Sequence, residues 1–288
     1  DILNIAHSGR FPIYEDYAIP EPLHRILFAL LSLAVGNSVG SIRFLGACFG
    51  VLTVALVGWV ARLGFRSAAP DRDQVVNQIT DQTTDQTSDS AENNAEAMQE
   101  TLMVVASVAM LTLSLSHIVI SRSIYRAILQ PVFTLFFLGY LLRGLAHYRW
   151  RDYSTSGMSL ALTLYSYTAG MVVPGVIGLL GLQLLVTRIR SWRRWLPSLV
   201  LLGIVFLLCI APILYTLWTA PHFVIGRASE LNGGPKAAVG WNEIVRMVNQ
   251  FVVAGDVNLQ YNIASAPLVS TLWLPFFVVG LVALLVKI

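Results

Sequence analysis

The chain has 288 residues, of which 56% are hydrophobic and only 12% charged, with a formal net charge of +3. Soluble chains carry about 25% charged residues, so water is excluded as the solvent for most of this one, and no basic surface for nucleic acid is implied. The apolar residues gather in blocks of about bilayer-crossing length, separated by short segments rich in Arg, Gly, Pro and Tyr. The class that follows is an all-α, polytopic transmembrane helical bundle.

Residues 1–43 read as an outer loop. A polar stretch reaches Glu21-Pro22-Leu23, and Pro22 suits the first turn of a helix running to Val35. That helix is too short to cross comfortably. Glu21, Arg25, Phe28 and Ser32 share one side, while Leu23, Ile26, Leu27, Leu30 and Leu33 take the other, the pattern of a helix lying in the membrane interface. Transmembrane sequence occupies 44–70, 101–218 and 268–288, with crossings predicted at about 44–65, 102–120, 127–143, 154–168, 171–187, 196–218 and 268–287.

Between the first two crossings, 71–100 carries eight of the sixteen carboxylates and a repeated Thr-Asp-Gln-Thr. It has almost nothing to bury and is expected to be a disordered, solvated cytoplasmic loop. Without it the chain holds 18 basic and 8 acidic residues. Alternating the crossings puts Arg62, Arg66, Arg72, Arg149, Arg151, Arg188, Arg190, Arg193, Arg194 and Lys287 on one side, which the charge rule makes cytoplasmic. Asp1, Glu15, Asp16, Glu21, Glu230, Glu243 and Asp256 then fall on the outer side, where 219–267 forms a long loop, and only Asp152 on the inner. No acid sits in mid-span, so a proton relay is not indicated. Any chemistry belongs to the outer face.

Cys48 and Cys209 both lie in apolar blocks and read as small buried hydrophobes. His7, His24, His117, His147 and His222 are scattered without metal-ligand spacing. A divalent metal is left open, and no cofactor is called for. A chain that opens without Met or a span and stops inside an apolar block reads as a piece of a longer protein.

Four stretches carry a resemblance. The first is DILNIAHSGRFPIYEDYAIPEPLHRILFALLSLAVGNSVGSIRFLGACFGVLTVALVGWVARLGF, with Glu21-Pro22-Leu23, a short helix, Gly and a span led by Arg43. The second is SHIVISRSIYRAILQPVFTLFFLGYLLRGL, with Ser121-Arg122 and Arg126-Ala127 entering a span. The third, GMSLALTLYSYTAGMVVPGVIGLLGLQLL, holds Leu164-Tyr165-Ser166-Tyr167-Thr168, and the fourth, NQFVVAGDVNLQYNIASAPLV, holds Gly255-Asp256, Asn258, Asn262 and Pro267. In this order they resemble the polyprenyl-phosphate-sugar-dependent glycosyltransferases of the GT-C superfamily, the bacterial branch similar to protein O-mannosyltransferases and aminoarabinose–lipid A transferases.

The resemblance implies a multi-pass enzyme of the bacterial plasma membrane. It would move a sugar from a polyprenyl-phosphate donor to a protein, lipid or glycan on the non-cytoplasmic face. It places the catalytic Asp upstream of Asp1, with Glu21 in support. Arg122 and Arg126, four residues apart on one helical face, are candidates for the leaving phosphate, against plain lipid-headgroup contact. Arg25 and Arg43 are weaker candidates of the same kind, and so is Arg227. Tyr165, Tyr167, Asp256, Asn258 and Asn262 are candidates for substrate binding, against an aromatic belt and a loop lock. A transporter of polyprenyl lipid or solute, or an inactive membrane subunit of the same fold, are the alternatives.

Overall fold

A computed structural model describes residues 22–36, 38–68, 86–122, 126–167, 192–219 and 273–287, with isolated positions between 170 and 267. Among these residues the chain is helical, without strands. The helices are α1 Pro22–Val35, α2 Val39–Ala68, α3 Gln86–Thr112, α4 Leu115–Arg122, α5 Leu129–His147, α6 Trp150–Ser166, α7 Trp192–Thr219 and α8 Leu274–Lys287; a 3-10 turn, Arg126–Ile128, leads into α5. Three are long and apolar enough to cross a membrane: Val39–Arg66, Leu129–His147 and Leu196–Thr219. At 1.5 Å per residue, 19 to 28 residues span about 28 to 42 Å, against a hydrocarbon core of about 30 Å.

The other expected crossings take different forms. The apolar segment 102–120 is interrupted at Leu113-Ser114, where α3 stops and α4 begins with the Ile118 amide on the Ser114 carbonyl at 3.1 Å. In place of 154–168 stands α6, 17 residues long and rich in Ser and Thr. α8 covers 14 residues of 268–287, and most of 171–187 lies outside the described residues.

Two expectations need correction. The acidic stretch 71–100 is not disordered throughout: α3 starts at Gln86, so 86–100 is helix. An apolar segment beginning at Leu102 supplies a helix for the polar residues to extend, which removes the nucleation cost that would otherwise oppose them. Glu100 then lands beside two cations, with Arg62 Nε at 2.9 Å and an Arg66 terminal nitrogen at 3.1 Å from its Oε1. The cysteines are not core residues either: Cys48 is exposed and Cys209 half-buried. In a lipid solvent an apolar block has no need to turn its small hydrophobes inward.

Lipid tails are as apolar as leucine, so helices in this solvent associate through close packing and hydrogen bonds between helices. α6 is the element built for that. Ser156, Gly157, Ser159, Ala161, Thr163 and Ser166 are all buried on it. Thr163 and Ser159 return their hydroxyls to their own helix, at 3.0 Å and 2.8 Å, while Ser156 Oγ donates across to the Phe137 carbonyl of α5 at 3.0 Å. A Cβ on Gly157 would stand 2.5 Å from the Leu202 carbonyl oxygen of α7, so only glycine allows this approach. Phe137, Tyr153, Leu160 and Leu202 make the buried core between α5, α6 and α7.

On the other flank, the Trp59 ring of α2 packs against Gly139 of α5, where a Cβ would overlap the indole. Phe136 and Tyr140 meet the same ring edge-on at 6.5 Å and 5.4 Å. α1 folds back after Gly36, whose φ of +100° suits glycine, and Ser41 Oγ donates to the Val35 carbonyl at 3.2 Å. His24, Phe28, Ala29 and Ser32 of α1 are buried, and Leu30 and Leu33 are exposed. Leu30 and Leu33 thus face away from the protein, while Leu23, Ile26 and Leu27 on the same side are half-buried.

Candidate functional site

The side-chain contacts fix which ends of the helices lie together. α2 and α3–α4 run antiparallel: Arg62 and Arg66 meet Glu100, Gly58 lies beside Val108, and His117 Nε2 stands 3.2 Å from the Gly50 carbonyl oxygen. α5 runs parallel to α2, since Trp59 lies at Gly139 and the 3-10 turn ahead of α5 packs beside α2 and α4. α6 is antiparallel to α5, with Asp152 near Arg143 and Ser156 on Phe137. α7 is parallel to α6, with Gly157 at Leu202 and Tyr165 at Cys209.

This register has a consequence for the end where α4 finishes. α4 ends at Arg122, α5 is entered from Arg126, and α6 ends at Ser166, all close to the level of Gly50 on α2 and Cys209 on α7. α2, however, begins eleven residues before Gly50, and α7 continues ten residues past Cys209. At 1.5 Å per residue both project about 15 Å beyond the ends of α4, α5 and α6. Among the described residues the bundle is therefore recessed at this end, and α1 packs against α2 and α6 near the level of that floor. His24 stacks on Phe28 at 4.3 Å, and Phe28 leans on Phe49 at 5.8 Å. Beyond the floor, Tyr215 and Trp218 of α7 and Phe44 of α2 are exposed.

Arg122 and Arg126 both come to this floor, but not as one helical face. Arg122 is the last residue of α4 and Arg126 the first of the 3-10 turn, so the expected spacing along a single helix is replaced by two separate elements. Helix α4 ends here because α5 must start in a new direction, and Ile128 and Leu129, 1% and 0% exposed, pin that start in the core. The side chains of both arginines lie outside the described residues.

Tyr165 and Tyr167 reach the same level from α6. The Tyr165 hydroxyl donates to the Cys209 carbonyl oxygen at 2.9 Å. Pro212 has no N–H to give to the Leu208 carbonyl, and the Tyr165 hydroxyl bonds the adjacent Cys209 carbonyl in that loosened turn. Tyr165 thus ties α6 to α7. Tyr167, half-buried, leaves the helix in extended conformation (φ −160°, ψ 143°) and its carbonyl accepts the Gly170 amide at 2.9 Å. Of the remaining candidates, Arg43 is exposed and Arg25 half-buried. Glu21, Asp256, Asn258, Asn262 and Arg227 lie outside the described residues.

Sequence reasoning passed over His117, treating it as one of several scattered histidines. Its place beside Gly50, four residues from Ser121 on the same helix, puts a polar group on the floor, and the only sequence signal was that i, i+4 spacing. Among the described residues no group of three His, Cys, Asp or Glu could hold a metal ion. Comparison with protein families, curated proteins and solved structures finds no match to this chain.

Proposed function

We propose that this integral-membrane chain belongs to a glycosyltransferase that takes its sugar from a polyprenyl-phosphate donor at the recessed end of the bundle. The observation that supports the reading most is the common level of Arg122, Arg126, Tyr165 and Tyr167, about 15 Å inside the ends of α2 and α7. A lipid-linked phosphate needs cationic donors near headgroup depth together with an apolar way in from the bilayer. The recess offers two arginine positions, and the exposed Tyr215 and Trp218, on the face of α7 opposite buried Ile210 and Ile213, present aromatic surface to the lipid beside it.

In the reaction the bond between the anomeric carbon and the phosphate oxygen breaks, and its electron pair leaves with the polyprenyl phosphate. A bond from the acceptor oxygen to the anomeric carbon forms, and the acceptor proton passes to a carboxylate. The resemblance puts that carboxylate ahead of Asp1, with Glu21, which precedes Pro22 in sequence, in support. Arg122 and Arg126 would neutralise charge as it builds on the departing phosphate, the interaction that counts because it strengthens toward the transition state. The recessed end is then the non-cytoplasmic one, and the end bearing Arg62, Arg66, Arg149 and Arg151 the cytoplasmic one.

The test is transfer of a radiolabelled sugar from a polyprenyl phosphate in membranes containing the chain with its natural flanks. Arg122→Ala with Arg126→Ala is expected to lower transfer by about 10²–10³-fold, with Arg122→Lys keeping part of it. Full transfer by the double variant would refute the reading. So would movement of label across sealed vesicles without covalent attachment.

A further inference from the structure

At the opposite end of the bundle the α5–α6 hairpin turns through His147, Tyr148, Arg149, Trp150 and Arg151, all exposed. The turn is tightly built. Tyr148 takes the left-handed conformation (φ 52°, ψ 32°) and its amide closes on the Gly144 carbonyl at 2.8 Å; the Asp152 amide returns to the Arg149 carbonyl at 3.1 Å. Asp152 is the sole acid between Leu129 and Ser166, and it points inward. It is 5% exposed, and its Oδ1 lies 3.7 Å from a terminal nitrogen of Arg143.

With that acid withdrawn, Arg149 and Arg151 have no acidic partner among the described residues. The Arg151 guanidinium lies over the Trp150 ring, 5.5 Å from its centroid. Tyr148 and Trp150 are 52% and 63% exposed, directly after the apolar crossing Leu129–His147 ends. Two cations and two amphipathic rings therefore stand where the hydrocarbon gives way to headgroups, the depth favoured by Trp and Tyr.

We propose that this turn binds anionic phospholipid headgroups, with Arg149 and Arg151 on the phosphates and Tyr148 and Trp150 seated among the glycerol esters. The occupant is a lipid rather than an acidic protein because the turn is joined to the crossing without a spacer, so headgroup phosphates are the anions it meets first. Basic residues near an anionic surface strengthen association by about fivefold each, or about 25-fold for the pair.

The test reads lipid contact and needs no sugar transfer, so it stands or falls apart from the glycosyltransferase reading. The full chain is placed in phosphatidylcholine vesicles, and Trp150 fluorescence is isolated by difference from Trp150→Phe. Quenching is then titrated with brominated phosphatidylglycerol or brominated phosphatidylcholine. Half-quenching is expected at about 25-fold lower mole fraction of the anionic lipid. Arg149→Gln with Arg151→Gln is expected to erase that preference, and the corresponding lysine pair to keep most of it. Equal quenching by the two lipids in the unsubstituted chain would overturn the proposal, whatever the variants do. A preference surviving the glutamine pair would overturn it as well.

Discussion

Tyr153 and Tyr165 stand on the same helix, and their hydroxyls do opposite things. Tyr153 is fully buried against Gly144, and its hydroxyl has no partner among the described residues. Tyr165 has one on α7. A buried donor left unmade costs about 1–3 kcal/mol, whereas a hydrogen bond between membrane helices contributes about 0.6 kcal/mol, at most about 1.7. Tyr153→Phe is therefore expected to leave the fold unchanged or stabilise it, and Tyr165→Phe to destabilise it by about 0.6–1.7 kcal/mol; SDS titration of the purified chain in mixed micelles measures both. Gly139→Ala puts a methyl into the space of the Trp59 ring. Overpacking of this kind costs about 1–3 kcal/mol, and Trp59→Leu in the same chain should recover part of it. At this scale the sequence was legible for residue type and opaque for partner. Tyr165 stood out as an aromatic at a span end, but its acceptor is a carbonyl 44 residues away, and no pattern in either segment announces that contact.

At the scale of the elements, legibility followed hydrophobic length. The blocks around 44–65, 127–143 and 196–218 correspond to the three helices of spanning length, because a long apolar run has only helix available to it in lipid. An apolar run interrupted by Ser is less determinate. Leu113-Ser114 breaks one expected crossing into α3 and α4, and the hydropathy of 102–120 contains no sign of where. The helical state of 86–100 was missed for the converse reason: the local composition argues for solvent, but the neighbouring apolar helix carries it along. Glu100 closes that extension on Arg62 and Arg66. The arginine side chains are 55% and 63% exposed and that of Glu100 17%, so water screens the cations and Glu100→Gln is expected to cost about 1 kcal/mol, read as a small shift in the same titration. Pro212 offers a sharper test. If Tyr165 compensates for the turn that Pro212 loosens, Tyr165→Phe should cost less in a Pro212→Ala background. A coupling of about 0.5 kcal/mol or more is expected for groups sharing one network.

Over the whole molecule, the helix directions separate two ends of different character. One gathers Arg62, Arg66, Glu100, Arg143, Arg149, Arg151 and Asp152, and the other is recessed between α2 and α7. The sequence made the charged end visible through its arginines. It named four of the residue positions on the recessed floor, but not the recess, which among the described residues arises because α4, α5 and α6 end short of α2 and α7. Neither the proposed sugar transfer nor the proposed lipid contact survives unless a bilayer lies between these ends. Labelling of single cysteines tests that directly, with Cys48→Ala and Cys209→Ala as the background and Ser38→Cys or Tyr148→Cys as the probe. In sealed vesicles of one orientation, a membrane-impermeant maleimide is expected to modify one of the two positions at once and the other only after lysis. Modification of both before lysis would show that Ser38 and Tyr148 share a compartment, and would contradict the account.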